Sequence, residues 1–222
     1  MRSNFLRACC FFALLTALFL TGCATRQRQE PAPFKTRPRS IVVLPPLNES
    51  TDTRAVYSFY SYVTFPLAEA GYYVLPVTLV EETFRQNGLA NPGDAHQASP
   101  AKLREIFGAD TALYLAVERY GASYRVIESA DIVTARGKLL DLRTGETLWE
   151  RRATASSAEE RSQHNQGLIG MLVSAVVQQI VSNLQEDSSE QQAAKASYRL
   201  LSANPIGTLP YGPRSPKYKG EP

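Results

Sequence analysis

Apolar positions along the chain repeat with two periods, and the change between them divides the sequence into elements. Ser40–Leu44 (SIVVL) is a short β-branched run closed by Pro45-Pro46, the pattern of a strand buried on both faces. A polar loop follows, 48–53. Val56, Tyr60, Val63 and Leu67 then recur at spacings of four, three and four, which predicts a helix over Ala55–Ala70. Pro66 should kink or split it, and Gly71 should stop it. Tyr72–Val77 reads as a strand, Val80–Asn87 as a short helix stopped by Gly88, and Asn91–Ala98 as loop. Ser99 can cap a helix that has Pro100 at its first position and runs to Phe107. Thr111–Val117 (TALYLAV) is almost continuously apolar, as a central strand should be.

The pattern then becomes a meander. Tyr124–Ile127, Ile132–Asp141 and Glu146–Ser156 look like consecutive antiparallel strands, with Arg143-Thr144-Gly145 as a hairpin loop. In the last strand Thr147, Trp149, Arg151 and Ala153 share one face, and Leu148, Glu150 and Arg152 the other. Ala158–Gln166 is polar and loop-like, Leu168–Leu184 is a helix, and Gln191–Leu200 is a last helix. The sum is a βαβααβ half, an antiparallel meander and flanking helices: one α/β domain with a mixed sheet over residues 40–202.

The ends differ from this body. Arg2 and Arg7 precede 13 nearly all-apolar residues, Ala8–Leu20, too few at about 1.5 Å each to cross a core of about 30 Å. Positive charge, a short apolar run and small residues read as a signal peptide over 1–22. Leu20-Thr21-Gly22-Cys23 resembles the bacterial lipobox. That resemblance implies acylation of Cys23, cleavage before it, and an anchor without a transmembrane helix. Ala24, rather than Asp, after the Cys implies sorting to the outer membrane. Residues 23–39 would be anchor and tether: Ala24–Arg39 has five basic residues, one acid and three prolines and no apolar period. Sixteen such residues reach about 50 Å at most. They form either a plain spacer or a segment touching lipid phosphates. Residues 203–222, with five prolines and three glycines, are expected to be a disordered tail. Within it Tyr211 and Tyr218, set between basic residues, are a lesser candidate for partner contact.

Composition narrows the chemistry. Cys9 and Cys10 leave with the signal and acylation consumes Cys23, so no disulfide, thiol nucleophile or Cys-ligated metal is expected. Without Arg2 and Arg7 the chain has 22 basic and 21 acidic residues, a balance that gives little support to nucleic-acid binding. His96 and His164 lie in polar stretches, as solvated surface residues do, and have no zinc-ligand spacing. Neither a G-x-S-x-G elbow nor a P-loop occurs. Adjacent acid pairs, Glu81-Glu82 and Glu159-Glu160, diverge by about 100° on a helix and make no dyad. No catalytic residue, metal or cofactor is expected.

Three candidate sites remain. The loop Asn48, Glu49, Ser50, Asp52 lies beyond a strand C-terminus, where open α/β sheets bind ligands; an ordinary polar loop is the other reading. Tyr57, Phe59, Tyr60, Tyr62 and Phe65 fall within nine residues. Packing should claim Tyr60 and Phe59, leaving Tyr57, Tyr62 and Phe65 for a partner. Leu168–Leu184 is apolar nearly all round, with Gly170, Met171 and Ser174 placed for close approach, either in the core or in a homodimer contact.

The strings Ser40–Ser50 (SIVVLPPLNES), Pro66–Val77 (PLAEAGYYVLPV), Lys102–Asp110 (KLREIFGAD), Leu139–Trp149 (LLDLRTGETLW) and Gly167–Leu172 (GLIGML) together resemble an uncharacterised family of bacterial lipoproteins known from antigen screens. More distantly, the α/β core is similar to CsgG and to the N-terminal domain of TolB. The resemblance implies a mixed-sheet α/β fold, an outer-membrane or periplasmic setting, and a role in envelope assembly or transport; it carries over no catalytic residue. The expectation is therefore a non-enzymatic lipoprotein on the outer membrane facing the periplasm, contacting an envelope protein and a second copy of itself. One rival is a hydrolase whose carboxylates meet only on folding. The other is a CsgG-like pore, opposed by Arg136, Lys138, Glu150 and Arg152, read as lying on alternating strand faces.

Overall fold

A row of backbone pairings crosses the domain and explains the apolar runs. The structure is a computed structural model that describes residues 33–124, 129–162, 188–203 and 209–219. Strand β1 (Ser40–Val43) pairs in parallel with β3 (Tyr73–Val74) on one side and with β4 (Thr111–Arg119) on the other. β2 (Leu47–Asn48) continues β1 along β4. β5 (Ala122–Tyr124) continues β4 along β6 (Ser129–Asp141). β6 runs antiparallel to β4 and to β7 (Thr147–Ser156). This is the mixed sheet of a single α/β domain, a parallel half joined to an antiparallel meander.

After Ser40, β1 and the residue that follows it are apolar at every position because helices lie on both faces. Ile41 and Val43 face one layer, while Val42 and Leu44 face the other. The first layer holds α1 (Ala55–Ser61), α2 (Thr64–Glu69) and α7 (Ser188–Leu201). α7 lies across β6 and β7, with Ala193, Ala196, Leu200 and Leu201 buried against Leu139, Trp149 and Ala155. Gly137 makes room for that packing: a Cβ there would stand 3.0 Å from Cζ3 of Trp149 and 3.3 Å from Cδ2 of Leu115. The second layer holds α3 (Val77–Gln86), α4 (Pro92–Gln97) and α5 (Pro100–Phe107). Val80, Phe84, Ala95 and Leu103 bury against Val42, Leu44, Ala112 and Leu142.

Several elements differ from the sequence expectation. The helix over 55–70 is two helices, broken at Tyr62–Val63 rather than at Pro66 itself. Pro66 donates no N–H to the carbonyl of Tyr62, four residues back, and its ring would clash there. The strand over 72–77 is only Tyr73–Val74, because Pro76 ends it and leads into α3, which starts at Val77. The loop over 91–98 contains α4: Asn91 caps it, its side chain accepting from the Gly93 N–H at 2.8 Å, and Pro92 opens it. Residues 157–162 are helical, α6, rather than loop. The helix predicted over 168–184 lies outside the described residues, as do the signal peptide, Cys23 and His164.

The largest correction is at the C-terminus. Leu209, Pro210 and Gly212 are buried, so 209–219 is not the disordered tail expected. The Tyr72 hydroxyl donates to the Pro210 carbonyl at 2.9 Å, across 138 residues. The N–H of Gly212 donates to Ala70 and that of Arg214 to Gly71. Gly71 (φ +93°) lies so close that a Cβ would meet Ser215 N at 2.4 Å. Prolines here sit in an ordered strap of turns at 213–214 and 216–217 instead of preventing order, since such a strap needs few backbone donors.

Candidate functional site

The second helical layer stops short. Along β4 the side chains of Ala112 and Tyr114 lie under it, but Ala116 and Glu118, on the same face, lie beyond it. The register places Arg136 opposite both Ala116 and Arg152, and Lys138 opposite both Tyr114 and Glu150. Thr134 stands beside Thr154, hydroxyl to hydroxyl at 3.0 Å. Among the described residues no helix covers this part of the sheet.

A charge network spans it. Arg136 and Arg152 are directly opposed, a repulsive pairing. Glu118 lies against both: its Oε1 is 3.4 Å from Nε of Arg136 and its Oε2 accepts from Nε of Arg152 at 2.5 Å. Arg136 also pairs with Glu49, which the loop after β2 carries over the sheet edge. At the border with the helical layer, His96 of α4 bonds the Pro45 carbonyl through Nε2 at 2.9 Å and sits edge-on to Tyr114. Lys138 Nζ lies over the same ring, 5.5 Å from its centre. Burial pushes the His96 pKa down, opposed by the Pro45 carbonyl and aided by Arg136 and Lys138. His96 is therefore a half-buried fixed residue, not a solvated one.

The predicted ligand loop satisfies itself. Asn48 Nδ2 donates to the Asp52 carbonyl, and Ser50 N and Oγ both donate to Asn48 Oδ1. Asp52 receives the Arg54 side chain and N–H, and that pairing holds its carboxyl below the usual range. Of the four loop residues only Glu49 turns outward to another element, and its partner is Arg136. The predicted aromatic patch separates. Tyr57 is 65% exposed, its hydroxyl donating to Glu81, and Phe65 is exposed. Tyr62 instead packs beside Ala194 under α7, and burial raises its pKa. Gly170, Met171 and Ser174 lie outside the described residues.

Sequence reasoning missed the open face. Arg136, Lys138, Glu150 and Arg152 were expected on alternating faces. They share one, because 136 and 138 and likewise 150 and 152 are two apart in paired strands. That spacing was readable; the pairing of Glu118 and Glu49 with them was not. Among the described residues no helix is long and apolar enough to cross a membrane, and no three His, Cys, Asp or Glu side chains converge as metal ligands do.

Comparison with known proteins fits this architecture. The family described as "Putative lipoprotein GNA1162-like" matches residues 32–214. The lipoprotein NMB1124/NMB1162 of Neisseria meningitidis serogroup B is 43% identical over 204 residues, covering 90% of this chain and 94% of that one. The crystal structure of lipoprotein GNA1162 from N. meningitidis superposes with a TM-score of 0.51 at 46% identity, over 65% of this chain and 99% of that one. A PelC dodecamer subunit from Paraburkholderia phytofirmans gives 0.43 at 16% identity, over 80% of this chain and 96% of that one. The matches by sequence are to proteins named as lipoproteins, with no enzymatic name among them. With a family match spanning residues 32–214 and close identity along nearly its whole length, the chain belongs to the GNA1162-like lipoprotein family.

Proposed function

We propose that this protein is a non-enzymatic lipoprotein, anchored through Cys23 in the outer membrane and facing the periplasm. It acts in envelope assembly or transport by holding a protein partner against its open sheet face. The observation that carries this reading is the face of β4, β6 and β7 that no helix among the described residues covers, with its partly exposed Glu49–Arg136–Glu118–Arg152 network. The charged groups there are partly exposed and matched in sign, which suits a partner read by complementary polar contacts. Glu49 and Glu118 both engage Arg136, so they are held as ion-pair partners and not as an acid–base dyad. A second copy of the chain is among the partners this reading admits.

The test is in-cell photo-crosslinking of the full chain. A photoreactive residue replaces Lys138 or Thr154 on the open face, or Leu79, which is 64% exposed on α3 outside it. Capture of one reproducible envelope protein from 138 and 154 but not from 79 supports the reading. Equal capture from all three positions, or none from 138 and 154, overturns it.

A further inference from the structure

We infer that the end of the domain where the tether enters is a docking surface for anionic phospholipid headgroups, so that the domain stands on the membrane instead of swinging from it. The register fixes which residues share that end. Ser40 pairs with Tyr73, Ile41 with Thr111, and Thr111 with Asp141, so the first residues of β1, β3 and β4 and the last of β6 form one row. Arg39 precedes that row, its N–H donating to Asp110 at 2.8 Å and its carbonyl accepting from Tyr73. Arg143 follows it, in the turn whose neighbour Leu142 donates to the Asp110 carbonyl. The strap brings Arg214 over the Tyr73 ring, 5.1 Å from its centre, and Lys217 over Tyr211.

Lys35, Arg37, Arg39, Arg143, Arg214 and Lys217 are all exposed, and among the described residues none of them makes a side-chain ion pair, although Arg143 acts on the buried Asp141 carboxylate through its charge. Elsewhere in the domain Arg54, Arg85, Lys102, Arg136, Arg152 and Arg199 each have an acidic partner. Arg104, Arg119, Lys138 and Arg151 have none among the described residues, so what marks the tethered end is that its cations gather at one end of the sheet. The acids at the tethered end are largely occupied. Asp110 Oδ2 accepts from the N–H groups of Arg39 and Ser40 and from the Ser40 hydroxyl. Asp141 is buried and accepts from the N–H groups of Arg143 and Thr144, at 2.8 and 3.0 Å. Asp110 itself, Glu69 and Glu146 are the exposed carboxylates nearby among the described residues. Unpaired cations beside the point where a lipid anchor would enter, with the partly exposed rings of Tyr73 and Tyr211 among them, match an anionic headgroup layer. A soluble polyanion would not require the cations to gather at the anchored end.

The inference rests on the anchor reading, and the test separates the two. The full lipidated chain carrying Thr147→Cys is labelled with a donor dye; Thr147 is exposed and lies at this end, opposite Leu140. It is reconstituted in vesicles of phosphatidylcholine alone or with about one-third phosphatidylglycerol, each with an acceptor-labelled lipid. Transfer at low salt should be at least about two-fold higher in the anionic vesicles and return to the neutral-vesicle level at about 0.5 M salt, where screening is within a few ångströms. The variant Lys35→Gln/Arg37→Gln/Arg39→Gln/Arg143→Gln should lose the difference, while Arg119→Gln/Arg151→Gln, the same kind of change elsewhere, should keep it. Equal transfer in both vesicle types, or a difference that survives in the quadruple variant, overturns the inference. The salt titration of the unsubstituted surface decides the matter if that variant does not fold. A chain that fails to sediment with neutral vesicles overturns the anchor reading, and the inference with it.

Discussion

Substituting Gly71 by Ala separates a strap that holds the domain together from one that only lies on it. Gly71 has φ +93°, and a Cβ there would lie 2.4 Å from Ser215 N and 2.9 Å from Gly212 O. Both are backbone atoms, so no side chain can swing away to make room. Gly88 is the control: its φ is +77°, but nothing lies within 4 Å of a Cβ built on it. Both substitutions carry the left-handed penalty for an L side chain, about 1–2 kcal/mol. Gly71→Ala adds the displacement of a packed segment, about 1–3 kcal/mol by analogy with overpacked cores. In a domain of this size each kcal/mol shifts Tm by about 2–4 °C. Gly88→Ala should therefore lower Tm by a few degrees and Gly71→Ala by roughly twice as much or more. Thermal melts give the comparison directly. Limited trypsin digestion gives a second readout: release of the strap should speed cleavage at Arg214 and Lys217 in Gly71→Ala alone. Equal melting temperatures for the two variants, with equal cleavage rates, would refute the reasoning and return residues 209–219 to the status of a tail.

Two further substitutions test other parts of the fold. Gly137→Ala places a Cβ against Trp149 and Leu115 and should cost about 1–3 kcal/mol, with a change in the emission of the one tryptophan; an unchanged denaturation midpoint and spectrum would show that the ring has room. His96 has its pKa lowered by burial from an ordinary value of 6.5, so the unfolded chain binds its proton first and stability falls as pH drops through about 6.5. His96→Gln should flatten the fall in Tm between pH 7 and 5.5, and an identical slope in both proteins would remove His96 from the account.

The parts of the fold legible in the sequence are those dictated by local patterns. β1 and β4 announce themselves because burial on both faces demands unbroken apolar runs. α5 is legible because Ser99 caps it, Oγ accepting from the Lys102 N–H, and Pro100 opens it. The same signal stood at Asn91-Pro92 and marks α4, but a helix of six residues is too short to show an apolar period. The strap was misread because Pro and Gly content reports what a segment cannot form by itself, a helix or a central strand. It does not report that a Tyr 138 residues away offers its hydroxyl. The candidate surface was half legible. The alternating charges of β6 and β7 are in the sequence, whereas their neutralisation by Glu49 and Glu118 depends on a register between strands far apart in the chain.

The strap also sets the order in which the domain can be completed. Leu209 joins the same apolar cluster as Ile41, Phe59 and Tyr72, and α7 closes over β6 and β7 only once residues 188–201 have been made. A chain still lacking its last 20 residues leaves the Tyr72 hydroxyl without its acceptor and the α2–β3 corner bare. Closure therefore waits on contacts between distant parts of the sequence, which form slowly because loop entropy must be overcome before they contribute. A nascent chain leaves this corner of the domain open to proteases until residues 209–215 arrive, and termination before them takes packed contacts from the core and not merely an appendage.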